Sequence, residues 1–151
     1  MRLNDSTYEY IKQEVANMFV DYDIKGVPIS SFEVAIKVGL TVIPYSALSK
    51  TMKEKAISYS EDGYSIETNE GEWIIYHNDI SKDYSRINQT IMHEVGHYIL
   101  GHVSEGEDEE AEAKFFAKYA LDYYRKWLRY GATDYLIYER QLLIQLEIDV
   151  A

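Results

Sequence analysis

Apolar residues recur with helical spacing at the start of the chain. Over residues 4–22 they return every three or four positions, which predicts an amphipathic helix, and Asp5 or Ser6 can cap its first turn. A second helix is expected to begin at Ser30, because Ser30 and Glu33 have the spacing of a capping box. The amino-terminal region is therefore predicted to be helical.

The pattern then changes to short extended segments. Gly39 is suited to end the second helix, and residues 40–45 have the pattern of a short strand. Residues 50–56 favour a short helix. Residues 64–68 and 73–77 favour two strands, and the turn residues between them predict a hairpin.

Helical spacing returns over residues 85–101, 108–130 and 134–148. This order of helices, a small sheet and further helices predicts an α+β fold in which the sheet packs against a central helix. The length of 151 residues suits one domain spanning residues 1–151. Its expected segments are an N-terminal helix (1–24), a helix with a small sheet (30–80), a pair of helices (83–130) and a C-terminal helix (134–148).

Composition removes several functional classes. The chain contains no cysteine, so any metal must be bound through His, Asp or Glu. The net charge of -11 repels phosphate backbones, so direct binding of nucleic acid is not expected, whereas a basic protein partner fits this charge. No apolar run approaches the roughly 18 residues of a membrane span, and the start of the chain lacks the pattern of a secretory signal. We therefore expect a cytoplasmic protein with no membrane partner.

His93, Glu94 and His97 form an HExxH pattern in the middle of a predicted helix. Four residues advance a helix by about 400°, so the two histidines lie one turn apart on one face and can bind the same ion. Glu94 lies about 100° round the helix from His93, near enough to take a proton from a water molecule on that ion. Gly96 costs about 1 kcal/mol relative to Ala in a helix interior, which predicts that another backbone passes close to it.

A catalytic zinc usually takes three protein ligands, so a third ligand is needed. Glu112 is the favoured candidate, because aromatic residues three, four, seven and eleven places after it predict that it heads the buried face of the next helix. Those aromatic residues are Phe115, Phe116, Tyr119 and Tyr123. Glu109, one turn before, is the alternative ligand or an acceptor for an imidazole N–H. His102 lies about 140° from the ligand face and is expected to be a capping or surface residue.

Three segments together resemble the ImmA/IrrE family of metallopeptidases. They are Arg86, the block from Thr90 to His102, and the run Glu112-Ala113-Lys114-Phe115-Phe116-Ala117. The family pattern is similar: an Arg shortly before HExxH, a Gly inside it, and a later Glu-Ala-Asn-x-Phe-Ala. This chain departs from it in having Lys114 in place of the Asn, and in lacking the Pro that commonly follows.

The resemblance implies a zincin-like fold with one Zn²⁺. His93, His97 and Glu112 would be its ligands and Glu94 the catalytic base. It also implies the activity, that of a stand-alone zinc endopeptidase that cleaves a helix-turn-helix repressor of a phage or other mobile element, and so acts as an anti-repressor.

Two other functions fit the same residues. One is a non-cleaving anti-repressor module, in which the metal is structural and the helix over residues 134–148 binds the repressor. The other is metal-assisted hydrolysis of a non-peptide bond.

In the peptidase hypothesis an extended substrate would pair with an edge strand, for which residues 73–77 are the candidate. The residue that stabilises the oxyanion is left open among several candidates. These are His77, Tyr84, Tyr119, Tyr123 and Arg125.

Overall fold

The computed structural model describes residues 2–25, 28–104 and 106–123. Within these residues the chain forms five α-helices and a three-stranded mixed sheet, which confirms the predicted α+β class. The helices are α1 (Asp5–Asp21), α2 (Ser31–Val38), α3 (Lys50–Tyr59), α4 (Tyr84–Ile99) and α5 (Glu107–Asp122). The strands are β1 (Thr41–Pro44), β2 (Gly63–Glu67) and β3 (Trp73–His77). The helix predicted over residues 134–148, and the end of that predicted over 108–130, lie outside the described residues.

The helix ends follow local side-chain chemistry. Asn4 caps α1 by accepting a hydrogen bond from the backbone N–H of Thr7 at 2.8 Å, so the prediction of Asp5 or Ser6 as the cap is wrong. The Ser30 side chain caps α2 by accepting from the Glu33 N–H, and Gly39 ends α2 in the left-handed region with φ 96°. Both α2 predictions are therefore confirmed.

The order of strands in the sheet is β1-β3-β2. β3 pairs in parallel with β1 and antiparallel with β2, so it lies in the centre of the sheet. The prediction that residues 73–77 form an edge strand is therefore wrong. The physical reason is visible in the strand itself, since its Trp-Ile-Ile-Tyr run is apolar on both faces, as suits a strand covered on both sides. Among the residues that the structure describes, β2 is an edge of this sheet.

β2 lies alongside α4. A Cβ added at Gly63 would meet the Thr90 side chain at 2.8 Å, and the Ser65 hydroxyl donates a hydrogen bond to Glu94 at 2.7 Å. Gly63 and Ser65 lie on the same face of the strand, and Thr90 and Glu94 are one turn apart on the helix. The fold thus sets an edge strand beside the HExxH residues.

Small residues let α5 pack closely against α4. The Phe116 ring lies over Gly96, where an added Cβ would be 2.9 Å from the ring atom Cδ1. The nearest atoms at Gly96 belong to the Phe116 side chain, and the Phe116 Cβ, at 3.2 Å from the added Cβ, shows that α5 itself passes close to α4 at this level. The buried small residues of α5 are Ala113, Ala117 and Ala120.

The aromatic stripe of α5 packs mainly against a different helix, α1. Phe115 stacks edge-on against Tyr8, and Tyr123 packs against Phe19, each with ring centroids 4.7 Å apart. Glu112, which precedes the aromatic stripe, therefore does not lie at the start of the alanine stripe that faces α4.

Among the described residues, no helix combines the length and the apolar content that crossing a bilayer would require.

Candidate metal centre

The HExxH residues lie in the middle of α4, as the sequence predicts. α4 begins after Asp83, whose side chain caps it by accepting from the Arg86 N–H at 2.8 Å. Glu94 and His97 are buried and His93 is half-buried. Their potential ligand atoms all lie within 4.8 Å of one another, so this group could hold a metal ion.

The Glu110 carboxylate contacts both histidines. Its Oε2 lies 3.0 Å from Nε2 of His93, and its Oε1 lies 2.9 Å from Nε2 of His97. Two zinc ligands about 2.1 Å from an ion in tetrahedral geometry would be about 3.4 Å apart. The observed separations are within about half an ångström of that value, so these three side chains could become ligands of one ion with small shifts.

The structure brings neither Glu112 nor Glu109 to the histidine pair in this way. Glu112 instead lies with its Oε1 3.2 Å from Nε2 of His102, and Glu109 folds back over Gly106 at the start of α5. The expectation that Glu112 points at the two histidines is thus not met. The reason is that Glu110, two residues earlier and about 200° round the helix, heads the alanine stripe that faces α4.

His102 is almost fully enclosed, with 8% of its side chain exposed. Its Nδ1 lies 2.9 Å from Nδ1 of His97. The prediction of a surface histidine is therefore wrong, whereas the backbone N–H of His102 does cap the end of α4, by donating to the carbonyl of His97 at 3.0 Å. Continuing the α4 helix by five residues would point His102 away from His97, but the helix ends at Ile99 and the chain turns at Gly101, with φ 69°.

The number of ring protons on His97 and His102, compared with the number of contacts that need one, shows whether these side chains fit a cation. Glu110, His97, His102 and Glu112 form a continuous chain of three contacts. Ionised carboxylates only accept hydrogen bonds, so the three contacts need three ring protons, and two neutral imidazoles carry only two. Burial, followed by the nearby His93, lowers the pKa of His97, although Glu110 offsets this in part, so a second proton on the His97 ring is disfavoured. A cation at Nε2 of His97 would take the place of that proton, so the site fits a metal.

Ser65 is a further residue of the site that no sequence pattern indicates. Its hydroxyl donates to Oε2 of Glu94 and so fixes the orientation of that carboxylate. A serine in a short strand carries no signal of such a role, and only the position of β2 beside α4 reveals it. Glu110 is not among the predicted ligands, although the alanines three, seven and ten residues after it mark the face that it heads.

A cleft opens between β2 and the end of α4. On its α4 side, Trp73 packs against Tyr98 with ring centroids 5.4 Å apart. The cleft is lined by Ser65, Ile66, Glu67, Trp73, His97, His102, Val103 and Ser104. Ile66 is 41% exposed and Val103 fully exposed, so the cleft offers apolar surface next to the candidate metal ligands.

The structure separates most oxyanion candidates from this cleft. His77 is buried against Phe32, with ring centroids 5.3 Å apart. Tyr84 starts α4, nine residues and therefore about 13 Å before His93. Tyr119 packs against Phe115 and Tyr123 on α5. Arg125 lies outside the described residues.

Arg86, which carries part of the family resemblance, lies in the first turn of α4. It makes a bidentate ion pair with Asp62, the residue just before β2. Its Nε donates to Oδ1 at 2.7 Å and its Nη2 donates to Oδ2 at 3.0 Å. The pair ties the beginning of α4 to the edge strand. It therefore supports the arrangement of the site without reaching His93 and His97, which lie about two and three turns further along the helix.

Comparison with known proteins adds no assignment. The chain matches no protein-family model, and no curated protein matches it.

Proposed function

We propose that this protein is a zinc-dependent endopeptidase of the ImmA/IrrE type, with a zincin-like active site and a basic, DNA-binding repressor as its substrate. One observation carries the proposal. The Nε2 atoms of His93 and His97 converge on the two oxygens of Glu110, and the Glu94 carboxylate stands beside them.

His93, His97 and Glu110 are the residues that would hold the ion. Glu110 replaces Glu112 as the proposed third ligand, because its carboxylate is the one in contact with both imidazoles. Two nitrogens and one oxygen are the protein ligands of many catalytic zinc sites, which leave the fourth position open. A bound zinc ion supplies a water whose pKa is lowered to about 7.

Glu94 is the proposed general base. With one oxygen held by the Ser65 hydroxyl, its carboxylate has a fixed orientation toward the histidine face. It would accept a proton from the attacking water and deliver it to the leaving amine. Ser65 orients this carboxylate and takes no proton itself.

The substrate is proposed to bind as an extended peptide along β2. The backbone of an edge strand can pair with a peptide, and β2 is the edge beside Glu94. Ile66 and Val103 offer apolar surface to the substrate side chains. Glu67 lines the same cleft, and the net charge of -11 favours a basic partner.

The Glu94→Gln variant tests the base assignment. It keeps the size of the side chain and removes its ability to take a proton. We expect it to retain fold and zinc while cleavage of a purified helix-turn-helix repressor from the same genetic element falls by a factor of about 10² to 10⁴. Glu109→Gln is the matched control, since it removes one carboxylate near the site without touching the histidines, and it should cut like the parent.

Two results would contradict the proposal. Glu94→Gln that cuts at the parental rate would show that Glu94 is not the base. A parent protein that binds zinc and the repressor but yields no fragments would favour the non-cleaving module instead. Elemental analysis separates the third-ligand candidates: Glu110→Ala should lose zinc, while Glu109→Ala and Glu112→Ala should still bind one ion at saturating zinc.

A further inference from the structure

We propose that His102 and Glu112 are positioning residues for His97, and that together they fix the tautomer in which Nε2 of His97 is free to bind the metal. This inference rests on the proposed zinc site, but it concerns how the site is built and not which bond is cleaved.

The end of α4 explains how His102 reaches His97. The backbone N–H of Gly101 donates to the carbonyl of Tyr98, and that of His102 donates to the carbonyl of His97 at 3.0 Å. This is the Schellman arrangement, which needs a left-handed residue such as Gly101 at φ 69°. It commonly brings the side chain two residues past the helix cap onto the side chain in the last full turn. Here those two side chains are His102 and His97.

The direction of each hydrogen bond in the series His97–His102–Glu112 follows from the carboxylate at its end. At one end the Glu112 carboxylate can only accept, so Nε2 of His102 must donate to it. With its proton on Nε2, neutral His102 has a lone pair on Nδ1 and accepts from Nδ1–H of His97. His97 then has its proton on Nδ1 and a lone pair on Nε2. That nitrogen is the one in contact with Glu110, whose other carboxylate oxygen contacts His93.

The surroundings keep this chain of hydrogen bonds out of water. The side chains of His97 and His102 are 6% and 8% exposed, and that of Glu112 is 26% exposed. Water therefore has little access with which to replace a lost partner. The partner of a metal-bound imidazole is usually a carboxylate or a carbonyl, and its loss typically weakens metal binding or activity by about 10- to 100-fold. In this protein a second imidazole stands between His97 and the carboxylate.

Zinc affinity of the full chain, measured by competition with a chromophoric chelator, tests the inference without any substrate. His102→Phe keeps a ring and removes both nitrogens, and it should weaken zinc binding by about 10- to 100-fold. His102→Asn places an acceptor oxygen close to the position of Nδ1, so it should recover most of that loss. Glu112→Gln should weaken binding less than His102→Phe, and the control Glu109→Gln should bind like the parent.

A double variant distinguishes positioning from direct ligation by Glu112. If Glu112 acts only through His102, then His102→Phe/Glu112→Gln should bind zinc as well as His102→Phe alone. A further loss of about tenfold or more would overturn the inference, because Glu112 would then act on the ion directly. Parental affinity in His102→Phe, or equal weakness in His102→Asn and His102→Phe, would overturn it as well.

Long-range ¹H–¹⁵N spectra of the zinc-loaded protein give a readout that mere packing would not change. We expect the ring proton of His97 on Nδ1, and a proton on its Nε2 would refute the inference. A parent protein that binds zinc without cleaving any repressor would refute the proposed peptidase while leaving this inference intact. A parent that binds no zinc would refute both.

Discussion

The contact between Gly96 and Phe116 gives the most direct test of how α4 and α5 are held together. Gly96→Ala adds one Cβ, which would lie 2.9, 3.1 and 3.2 Å from Cδ1, Cγ and Cβ of Phe116. Phe116 is fully buried, and Cβ is close to the backbone, so neither the ring nor α5 can move away without disturbing the core. The substitution therefore sets helix propensity against overpacking.

The two effects have opposite signs. Replacing Gly by Ala inside a helix stabilises a protein by about 1 kcal/mol, and overpacking a core costs typically about 1–3 kcal/mol. Three contacts shorter than 3.3 Å put this case in the upper part of that range. We expect the free energy of unfolding to fall by about 1–2 kcal/mol, which lowers the midpoint of urea unfolding by about 1 M at the slope of a small domain.

A cycle with Phe116→Ala shows whether the ring is the cause. Without the ring, the added Cβ at position 96 should make the protein more stable, by up to about 1 kcal/mol, because only helix propensity remains. The sign of the effect should thus reverse between the two backgrounds. If Gly96→Ala leaves the parent as stable or more stable, or costs the same with and without the ring, the close-packing argument is wrong.

Two further predictions concern stability. Asn88 is buried, accepts from the Ser31 N–H at 2.6 Å and donates to the Ile29 carbonyl at 2.9 Å, so Asn88→Ala leaves two buried backbone groups without this partner. At about 1–3 kcal/mol for each such group, urea unfolding should show a loss of at least about 2 kcal/mol, and a loss below about 0.5 kcal/mol would contradict this reasoning. For His77, burial lowers the pKa, and Asp79 offsets this in part. The unfolded chain therefore takes up a proton that the folded protein resists, and stability falls as the pH drops below about 6.5. The fall should be shallower in His77→Phe, and parallel curves for the two proteins would show that His77 does not contribute.

The sequence by itself determined the local structure and the core of the candidate site. Hydrophobic spacing and caps predicted α2 from Ser30 to Gly39 and the hairpin of β2 and β3, because these elements depend on residues only a few positions apart. The spacing of His93 and His97 likewise predicted that both would share one helix face, since α-helix geometry alone decides it.

Tertiary structure decided which acid meets those histidines. Both Glu110 and Glu112 head an apolar stripe of α5, and periodicity cannot tell which stripe faces which neighbour. The alanine stripe packs on α4 because small residues and Gly96 allow close approach, and the aromatic stripe packs mainly on α1. The positions of β3, His102 and Ser65 were decided in the same way, by strand order, by the turn at Gly101 and by the packing of β2 on α4. Contacts between elements far apart in sequence depend on how whole faces fit together, and no local pattern encodes that fit.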